Sequence, residues 1–334
     1  MNVKFVVGRY ATDREVLGEL GAPYPPPYAA RPPKTFQSFD LELPDEAMVL
    51  DGLIHIREYE DESVCVRCSC RCAICGSCAM WINGHAKLAC VTKLKDVAID
   101  GAVRVEAPPS VSALRDLVWD QKPFWDKMQS VKPWLEGKKP VPQGEEYRVS
   151  NEAMEELIQE VSCISCGACL LDCESFAVNK DFVGPHALAR AYRYAADPRD
   201  AITSERLASY SEPNGVWDCT HCFECVQVCP KNVAPLDQIL KIRKMAVDAG
   251  YDKNPGTRHA DAFAESVRES GRLNELTLLP KSLGFFNVAA QLKSLPAAFN
   301  LLRAGKLPPL IHHKVPHWQR IKSIFKRIGG RFSK

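Results

Sequence analysis

The amino-acid sequence predicts an α+β fold in which a small sheet-containing domain precedes an all-helical domain and a C-terminal extension of helical and irregular segments. Residues 1–112 hold short runs of alternating polar and apolar residues, which are typical of strands. From about Asp116 onward, apolar residues recur at helical spacing instead. Cysteines cluster in both parts. We therefore expect domains at 1–112, 113–250 and 251–334.

Composition excludes several classes of protein. Of the 334 residues, 46% are hydrophobic and 25% charged, as in an ordinary soluble globular protein. No run approaches the roughly 18 apolar residues of a membrane span, and no secretory signal is evident at the N-terminus. The 15 cysteines cluster at short gaps, which favours metal ligation in a reducing compartment over disulfides. No nucleic-acid partner is expected.

The N-terminal domain is predicted to contain strands, one helix and a cysteine-rich loop. An Asn-Gly pair at 83–84 predicts a tight turn between two of the strands. The expected segments are strands at 3–10 and 35–43, a proline-rich loop at 23–33, a helix at 47–61, a cysteine-rich loop at 65–78 and short strands at 80–90 and 102–107.

Helices are predicted for most of the remaining chain. Ser150, followed by an acidic first turn, marks one helix start. Prolines, among them Pro296, are expected to break the end of the chain into short amphipathic pieces. The predicted helices cover 111–135, 150–163, 184–197, 235–250 and 259–275, with amphipathic segments at 295–305 and 317–330.

Two runs of four cysteines share the spacing C-x2-C-x2-C-x3-C, the bacterial-ferredoxin spacing for iron–sulfur clusters. In that pattern the fourth cysteine of each run ligates the cluster of the other run. The spacing therefore predicts one 4Fe–4S cluster on Cys163, Cys166, Cys169 and Cys229. It predicts a second 4Fe–4S cluster on Cys173, Cys219, Cys222 and Cys225. Without Cys222 the second site would keep three thiolates and would suit a 3Fe–4S cluster.

A third group of cysteines has the plant-type 2Fe–2S spacing, C-x4-C-x2-C followed by a distant cysteine. Its predicted ligands are Cys70, Cys75, Cys78 and Cys90. A structural zinc site is the alternative, but zinc sites favour paired C-x2-C knuckles. Cys65, Cys68 and Cys72 remain, either as extra ligands or redox sensors or, as we favour, as small residues near a cluster. His85 and His221 are expected to be hydrogen-bonding neighbours rather than ligands.

Charge is distributed unevenly along the chain. Beyond Glu275 there is no Asp or Glu, whereas eleven residues are Lys or Arg. Since the whole chain carries +2, the first 275 residues carry −9. An acidic body with a basic, partly apolar tail predicts contact with an anionic surface, either lipid or protein.

Taken together, the three cysteine groups resemble the iron–sulfur subunit of succinate dehydrogenase and fumarate reductase over roughly residues 35–245. The resemblance is carried by VLDGLIHI, CGSCAMWING, LAC at 88–90, the segment around KPFWDKMQSVKPWL, and NKDFVGPHALARAYRYAADPRD. It implies an N-terminal β-grasp ferredoxin domain, then an α-helical ferredoxin domain. It also implies an electron-transfer subunit of an oxidoreductase complex. Substrate chemistry would occur on another chain, and no catalytic acid–base or nucleophile constellation is found here.

Departures from the family pattern indicate a subgroup. They are the extra Cys222, Glu174 in place of the usual proline, Ala177 and Val178 in place of tryptophans, and Thr220 in place of a histidine. The segment after residue 250 resembles the small iron–sulfur subunit of heterodisulfide reductase. Together these features resemble the non-classical, E-type succinate dehydrogenases and methylmenaquinol:fumarate reductases.

The subgroup implies particular partners. One is an FAD-containing flavoprotein subunit, and the other is a cysteine-rich heterodisulfide-reductase-like or membrane-anchor subunit, with quinone reached through the complex. The implied location is peripheral, on the cytoplasmic face of the cell membrane. The alternatives are a subunit of a thiol:fumarate or heterodisulfide-type reductase, or a freestanding ferredoxin-like carrier.

Overall fold

The computed structural model describes residues 1–10, 34–137, 141, 143–284, 286–306 and 312–328. The proline-rich loop predicted at 23–33 lies outside these residues. The chain divides into two compact units, Met1–Lys244 and Met245–Lys334.

A five-stranded sheet with one packed helix forms the N-terminal part of the first unit. Its elements are β1 (Asn2–Tyr10), β2 (Lys34–Glu42), α1 (Val49–His55), a π-helical turn (Ile56–Glu60), β3 (Ala79–Ile82), β4 (His85–Leu88), α2 (Leu94–Val97) and β5 (Ala102–Glu106). The strand order is β2-β1-β5-β3-β4, with β1 and β5 parallel and the other neighbours antiparallel. Gly52 lets α1 approach the sheet, because a Cβ there would lie 2.2 Å from the Phe5 ring.

The helix expected over 111–135 is wrong in its first half. That segment forms β6 (Ala113–Arg115), β7 (Val118–Trp119) and only then α3 (Lys122–Ser130). Asp116 has a left-handed φ of 44°, which no α-helix can contain. Its carboxylate accepts the backbone N–H groups of Cys65 and Tyr10 and pairs with Arg9 at 3.0 Å. These distant partners override the helical periodicity of the local sequence.

Short helices and three longer ones, the last of which continues past Lys244, make up the helical part of the first unit. They are α4 (Asn151–Glu155), α5 (Ile158–Val161), α6 (Ala168–Leu171), α7 (Glu174–Val178), α8 (Pro185–Ala195), α9 (Thr203–Tyr210), a 3-10 turn (Val216–Asp218), α10 (Glu224–Gln227) and α11 (Pro235–Asp248). Ser150 caps α4 as predicted, accepting the N–H of Ala153 at 3.3 Å. Most of α8 is buried, so this helix forms the centre of the helical part.

Polar contacts join the sheet to the helices within the first unit. The Ala86 N–H of β4 donates to the carboxylate of Asp172, which follows α6, at 2.9 Å. The Ser110 hydroxyl donates to the Leu171 carbonyl at 2.7 Å. These contacts fix the position of the sheet relative to the helical part.

The second unit is helical. It contains α12 (Pro255–Ser270), α13 (Glu275–Leu283), α14 (Val288–Arg303) and α15 (Trp318–Ile328). The short segment expected at 295–305 is wrong, because α14 begins after its cap Asn287 and continues through Pro296. Leu292, whose carbonyl would have bonded to residue 296, is exposed, so water can replace the lost hydrogen bond.

Candidate iron–sulfur cluster sites

The N-terminal cysteine loop is shaped by its own backbone. Arg71 and Ala73 adopt positive φ angles of 57° and 55°, which curl the chain so that N–H groups point inward. The Sγ of Cys70 accepts the N–H groups of Cys72, Ile74 and Cys75 at 3.2–3.4 Å. These donors lower the pKa of Cys70 to about 6. A thiolate already stabilised in this way is the form that binds metal.

The other three predicted ligands converge on Cys70. Cys90 Sγ accepts the N–H of Ala73 from the same loop at 3.4 Å, and the Ser77 hydroxyl donates to Cys75 Sγ at 3.1 Å. Burial raises the pKa of Cys78 to about 12, and contact with Cys90 contributes to the shift. The structure therefore gathers Cys70, Cys75, Cys78 and Cys90 into one group.

The three spare cysteines differ in position. Cys72 is exposed and lies against the four-thiol group, since its thiol hydrogen-bonds to Cys70 and this raises the pKa of Cys72. Cys65 is half-buried, and its backbone is held by Asp116 and Leu117. Cys68 is half-buried as well. Of the three, Cys72 has the most direct contact with the predicted ligands.

A cavity in the helical part is lined by Cys163, Cys166, Cys169 and Cys229. Cys163 and Cys166 lie in the loop before α6, where Ser165 and Gly167 have positive φ. Cys169 lies in α6 itself, and Cys229 follows α10. Burial raises the pKa of Cys166 to about 11 and raises that of Cys169 well above its usual value. The Val233 N–H donates to Cys229 Sγ at 3.3 Å. Four soft thiols with a backbone donor form a donor set that suits iron.

A second group forms from Cys173, Cys219, Cys222 and Cys225. Cys173 caps α7, where its Sγ accepts the Phe176 N–H at 3.5 Å. Burial raises the pKa of Cys173 to about 11, and the charges of Cys222 and Cys219 raise it further. Burial likewise raises the pKa of Cys225 to about 12, again with Cys222 as a close neighbour. These four thiols are therefore neighbours, and Cys222 lies beside Cys173 and Cys225.

Models of two protein families match the chain at these sites. A 2Fe-2S iron-sulfur cluster binding domain matches residues 24–126, and a 4Fe-4S dicluster domain matches residues 161–233. The chain is 34% identical to the 8-methylmenaquinol:fumarate reductase iron-sulfur subunit of Wolinella succinogenes, over 79% of this chain and 84% of that protein. It is 40% identical to the fumarate reductase iron-sulfur subunit of Mycobacterium tuberculosis, over 66% and 89%.

The chain belongs to the family of iron–sulfur subunits of fumarate reductase and succinate dehydrogenase. Its function is electron transfer within such an oxidoreductase complex. A chain of the Mycobacterium smegmatis Sdh1 complex in the apo form superposes with a TM-score of 0.63 at 23% identity, covering 75% of this chain and 98% of that one. This likeness confirms the predicted α+β fold, in which a sheet-containing ferredoxin domain precedes a helical one.

In this iron–sulfur subunit the three cysteine groups lie in series. A Cβ on Gly76, in the N-terminal loop, would lie 2.7 Å from Cys166 Cα, so the first two sites are in backbone contact. The charge of Cys225 contributes to the raised pKa of Cys169, so the second and third sites are neighbours too. A chain of adjacent sites is what stepwise electron transfer requires.

Sequence reasoning missed Arg243, which supports the third site of the iron–sulfur subunit. Its guanidinium donates to the Cys219 carbonyl at 2.8 Å and to the Val216 carbonyl, and it stacks over Trp217. Arg243 lies on α11, 24 residues after Cys219, and its local sequence has only a helical pattern. No motif could have identified it.

Thr220, which follows Cys219, hydrogen-bonds to Ser175 of α7. The Thr220 N–H and the Ser175 hydroxyl lie 3.3 Å apart, and the two hydroxyls are also 3.3 Å apart. Close by in sequence, Val178 is 90% exposed and Phe223 is 54% exposed. In the part of the chain that the structure describes, no helix is both long enough and apolar enough to cross a bilayer.

Proposed function

We propose that this iron–sulfur subunit holds one 2Fe–2S cluster and two 4Fe–4S clusters, on the three cysteine groups described above. Bound clusters supply one-electron transfer. The 2Fe–2S ligands are Cys70, Cys75, Cys78 and Cys90. The first 4Fe–4S ligands are Cys163, Cys166, Cys169 and Cys229, and the second are Cys173, Cys219, Cys222 and Cys225. The observation that carries the proposal is the position of Cys222 among three other buried or half-buried thiols.

The exposed residues at the two ends of the series of cysteine groups support an assignment of one partner to each end. The N-terminal loop exposes Cys75 and Ile74, which is 65% exposed, so we assign this end to an FAD-containing flavoprotein subunit. At the other end Val178 and Phe223 offer exposed apolar surface beside the third cysteine group. We assign that end to the membrane-side partner, from which quinone is reached.

The partner at that end is, in this proposal, a cysteine-rich subunit related to heterodisulfide reductase. The departures at Glu174, Ala177, Val178, Thr220 and Cys222 support this non-classical subgroup. The similarity to the Wolinella subunit supports it too: 79% of 334 residues is more than the 250 that precede Tyr251, so that alignment includes part of the C-terminal region. The complex would then lie at the cytoplasmic face of the cell membrane.

Low-temperature EPR of the anaerobically purified protein tests the cluster assignment. The wild type should show no strong 3Fe–4S signal when oxidised, and Cys222→Ser should create one. Cys72→Ser is the matched control, because Cys72 is a spare cysteine beside the 2Fe–2S ligands, so its removal should create no 3Fe–4S signal. A strong 3Fe–4S signal in fresh wild-type protein would overturn the assignment of Cys222.

Activity of the purified complex tests the partner. Succinate oxidation coupled to a quinone analogue supports the proposal. Dependence on a coenzyme thiol would instead support a thiol:fumarate or heterodisulfide-type reductase. Co-purification with a flavoprotein excludes a freestanding carrier.

A further inference from the structure

Helix α14 in the second unit carries a row of exposed apolar side chains. Val288, Leu292, Leu295, Phe299 and Leu302 are each 56–66% exposed. Their spacing of four, three, four and three residues places them on one side of the helix. We call these five residues the α14 seam. At about 1.5 Å per residue, the seam runs along roughly 21 Å of helix.

Small and polar residues form the side of α14 that faces its own unit. The Gln291 side-chain amide donates to the carbonyls of Pro280 and Gly284 at 3.1 and 3.2 Å. Ser294 and Ala290, on the same side, are half-buried. A helix normally buries its apolar face and exposes its polar one. In α14 the large apolar side chains of the seam are exposed instead, which indicates that another molecule covers the α14 seam.

The geometry of the seam favours a helix as that molecule. Alternating three- and four-residue spacing is the pattern by which two helices pack along a common line. A strict row of this kind is narrower than the apolar face of a helix that lies in a membrane surface.

The charge around the α14 seam predicts the charge of the helix that binds it. From residue 276 to the end of the chain there is no Asp or Glu, and Lys293, Arg303 and Lys306 lie on or directly after α14. A partner whose apolar row is flanked by Asp and Glu complements this surface. A second copy of this chain would instead place cations against cations.

We infer that the α14 seam binds an amphipathic helix with acidic flanks that belongs to another subunit of the complex. This deepens the proposed function by naming a surface for a partner, and it does not depend on how many clusters the chain holds. Complex membership alone requires that such a surface exist.

Site-specific photo-crosslinking in the complete purified complex tests the inference. Leu295→p-benzoylphenylalanine and Phe299→p-benzoylphenylalanine place the probe in the seam. Asn300→p-benzoylphenylalanine is the matched control, since Asn300 is an exposed residue of the same helix but lies off the seam. Both seam probes should crosslink to one stretch of another subunit that has helical apolar spacing and flanking Asp or Glu, and the control should not. Crosslinks to lipid, to a second copy of this chain, or none at all would overturn it.

A charge substitution provides a second measurement. The double variant Leu295→Glu with Phe299→Glu should reduce the co-purified partner at least 10-fold, whereas Asn300→Glu should retain it. Cluster EPR spectra of the same samples report separately on the proposed ligands, because a change there concerns the cysteine groups and not α14. Retention of the partner by the double variant, with unchanged spectra, contradicts the inference.

Discussion

The N-terminal cysteine loop and the helical pair of cysteine runs reach the same donor chemistry by different routes. Three of the four N-terminal thiols lie within nine residues, and the loop itself supplies N–H groups to their sulfurs. In the helical pair, by contrast, Cys163 and Cys229 are 66 residues apart and the two groups exchange one cysteine each. Local backbone geometry organises the first site, whereas the other two exist only once the helical part has folded.

Electrostatics separates the two regions further. Backbone donors lower the pKa of the half-buried Cys70 to about 6, so part of the N-terminal site is ready to bind metal at neutral pH. Burial raises the pKa of Cys166 to about 11 and that of Cys225 to about 12. At the helical sites iron must therefore displace protons, and metal binding is coupled to folding there.

Substitution of a crosswise ligand should have the largest effect. Cys173→Ser removes one ligand from the second helical site. It also removes one of the two crosswise ligands that link the two cysteine runs, so we expect loss of iron from both helical sites and of most folded protein. Cys75→Ser should reduce only the 2Fe–2S content. Iron and sulfide analysis together with EPR measures both outcomes. If Cys173→Ser keeps the first helical cluster intact, the two sites assemble independently and the contrast with the N-terminal loop fails.

Arg206 offers a test that leaves every thiol in place. Its guanidinium is buried, pairs with Asp200 at 3.0 Å and donates to the carbonyls of Lys132 and Trp134. Breaking such a buried pair costs about 3–5 kcal/mol. Arg206→Met should therefore lower the free energy of unfolding of the helical part by that amount, with heat releasing the helical clusters before the 2Fe–2S cluster.

The control for Arg206 is an exposed ion pair. Lys122 and Asp126 lie 2.5 Å apart on α3 with more than half of each side chain exposed. Lys122→Met should cost less than about 1 kcal/mol. Chemical denaturation followed by circular dichroism and cluster absorbance compares the two variants, and equal losses would contradict the buried role of Arg206.

We expect His186 to make the stability of the helical part depend on pH. It lines the cavity of the first helical site, stacks on Phe124 and bonds to the Phe124 carbonyl at 3.0 Å. Burial lowers its pKa to about 3, from 6.5 when exposed. The unfolded chain therefore takes up the proton first as pH falls. Stability is complete above pH 6.5 and decreases below it, by up to about 1.4 kcal/mol per pH unit.

We expect the pH dependence to disappear when that imidazole is removed. In His186→Gln, the difference in unfolding free energy between pH 7 and pH 5 should be smaller than in the wild type. The unfolding midpoint in urea at each pH measures it. An identical pH dependence in the variant would show that other groups carry the effect.

The N-terminal sheet and its cysteine loop were largely predictable from the sequence. Strand alternation gave β1 and β2 within one residue, and thiolate chemistry at fixed spacing identified the cysteine groups. Both signals are local, because periodicity and loop ligation involve residues close in sequence. The small hairpin at 113–119 was not predictable, since Asp116 is held by Arg9, Tyr10 and Cys65, all more than 50 residues away.

The same reason explains what was missed around the helical sites. Arg243 reaches the Cys219 carbonyl from another helix, and the contact of Gly76 with Cys166 spans 90 residues. Helix α14 continues through Pro296, although local sequence favours a break there. In each case tertiary packing or solvent exposure decided the outcome, and neither produces a recognisable pattern in the neighbouring sequence.

The contact between Gly76 and Cys166 joins the two regions and permits the finest test. Gly76 has a φ of +71°, and a Cβ there would lie 2.7 Å from Cys166 Cα, a backbone atom that cannot rotate away. Gly84 has a φ of +90° with nothing within 4 Å, so it has the same backbone strain without the steric clash. Gly76→Ala should therefore lower the free energy of unfolding by about 1–3 kcal/mol more than Gly84→Ala does.

Gly76→Ala should also push the N-terminal loop away from the first helical site, because the loop can shift more readily than the buried backbone at Cys166. After electrons enter at the 2Fe–2S cluster, rapid-freeze EPR measures how fast the helical clusters are reduced. This rate should be lower in Gly76→Ala but not in Gly84→Ala. Equal rates in the two variants would mean that the close approach at Gly76 does not set the distance over which the electron moves.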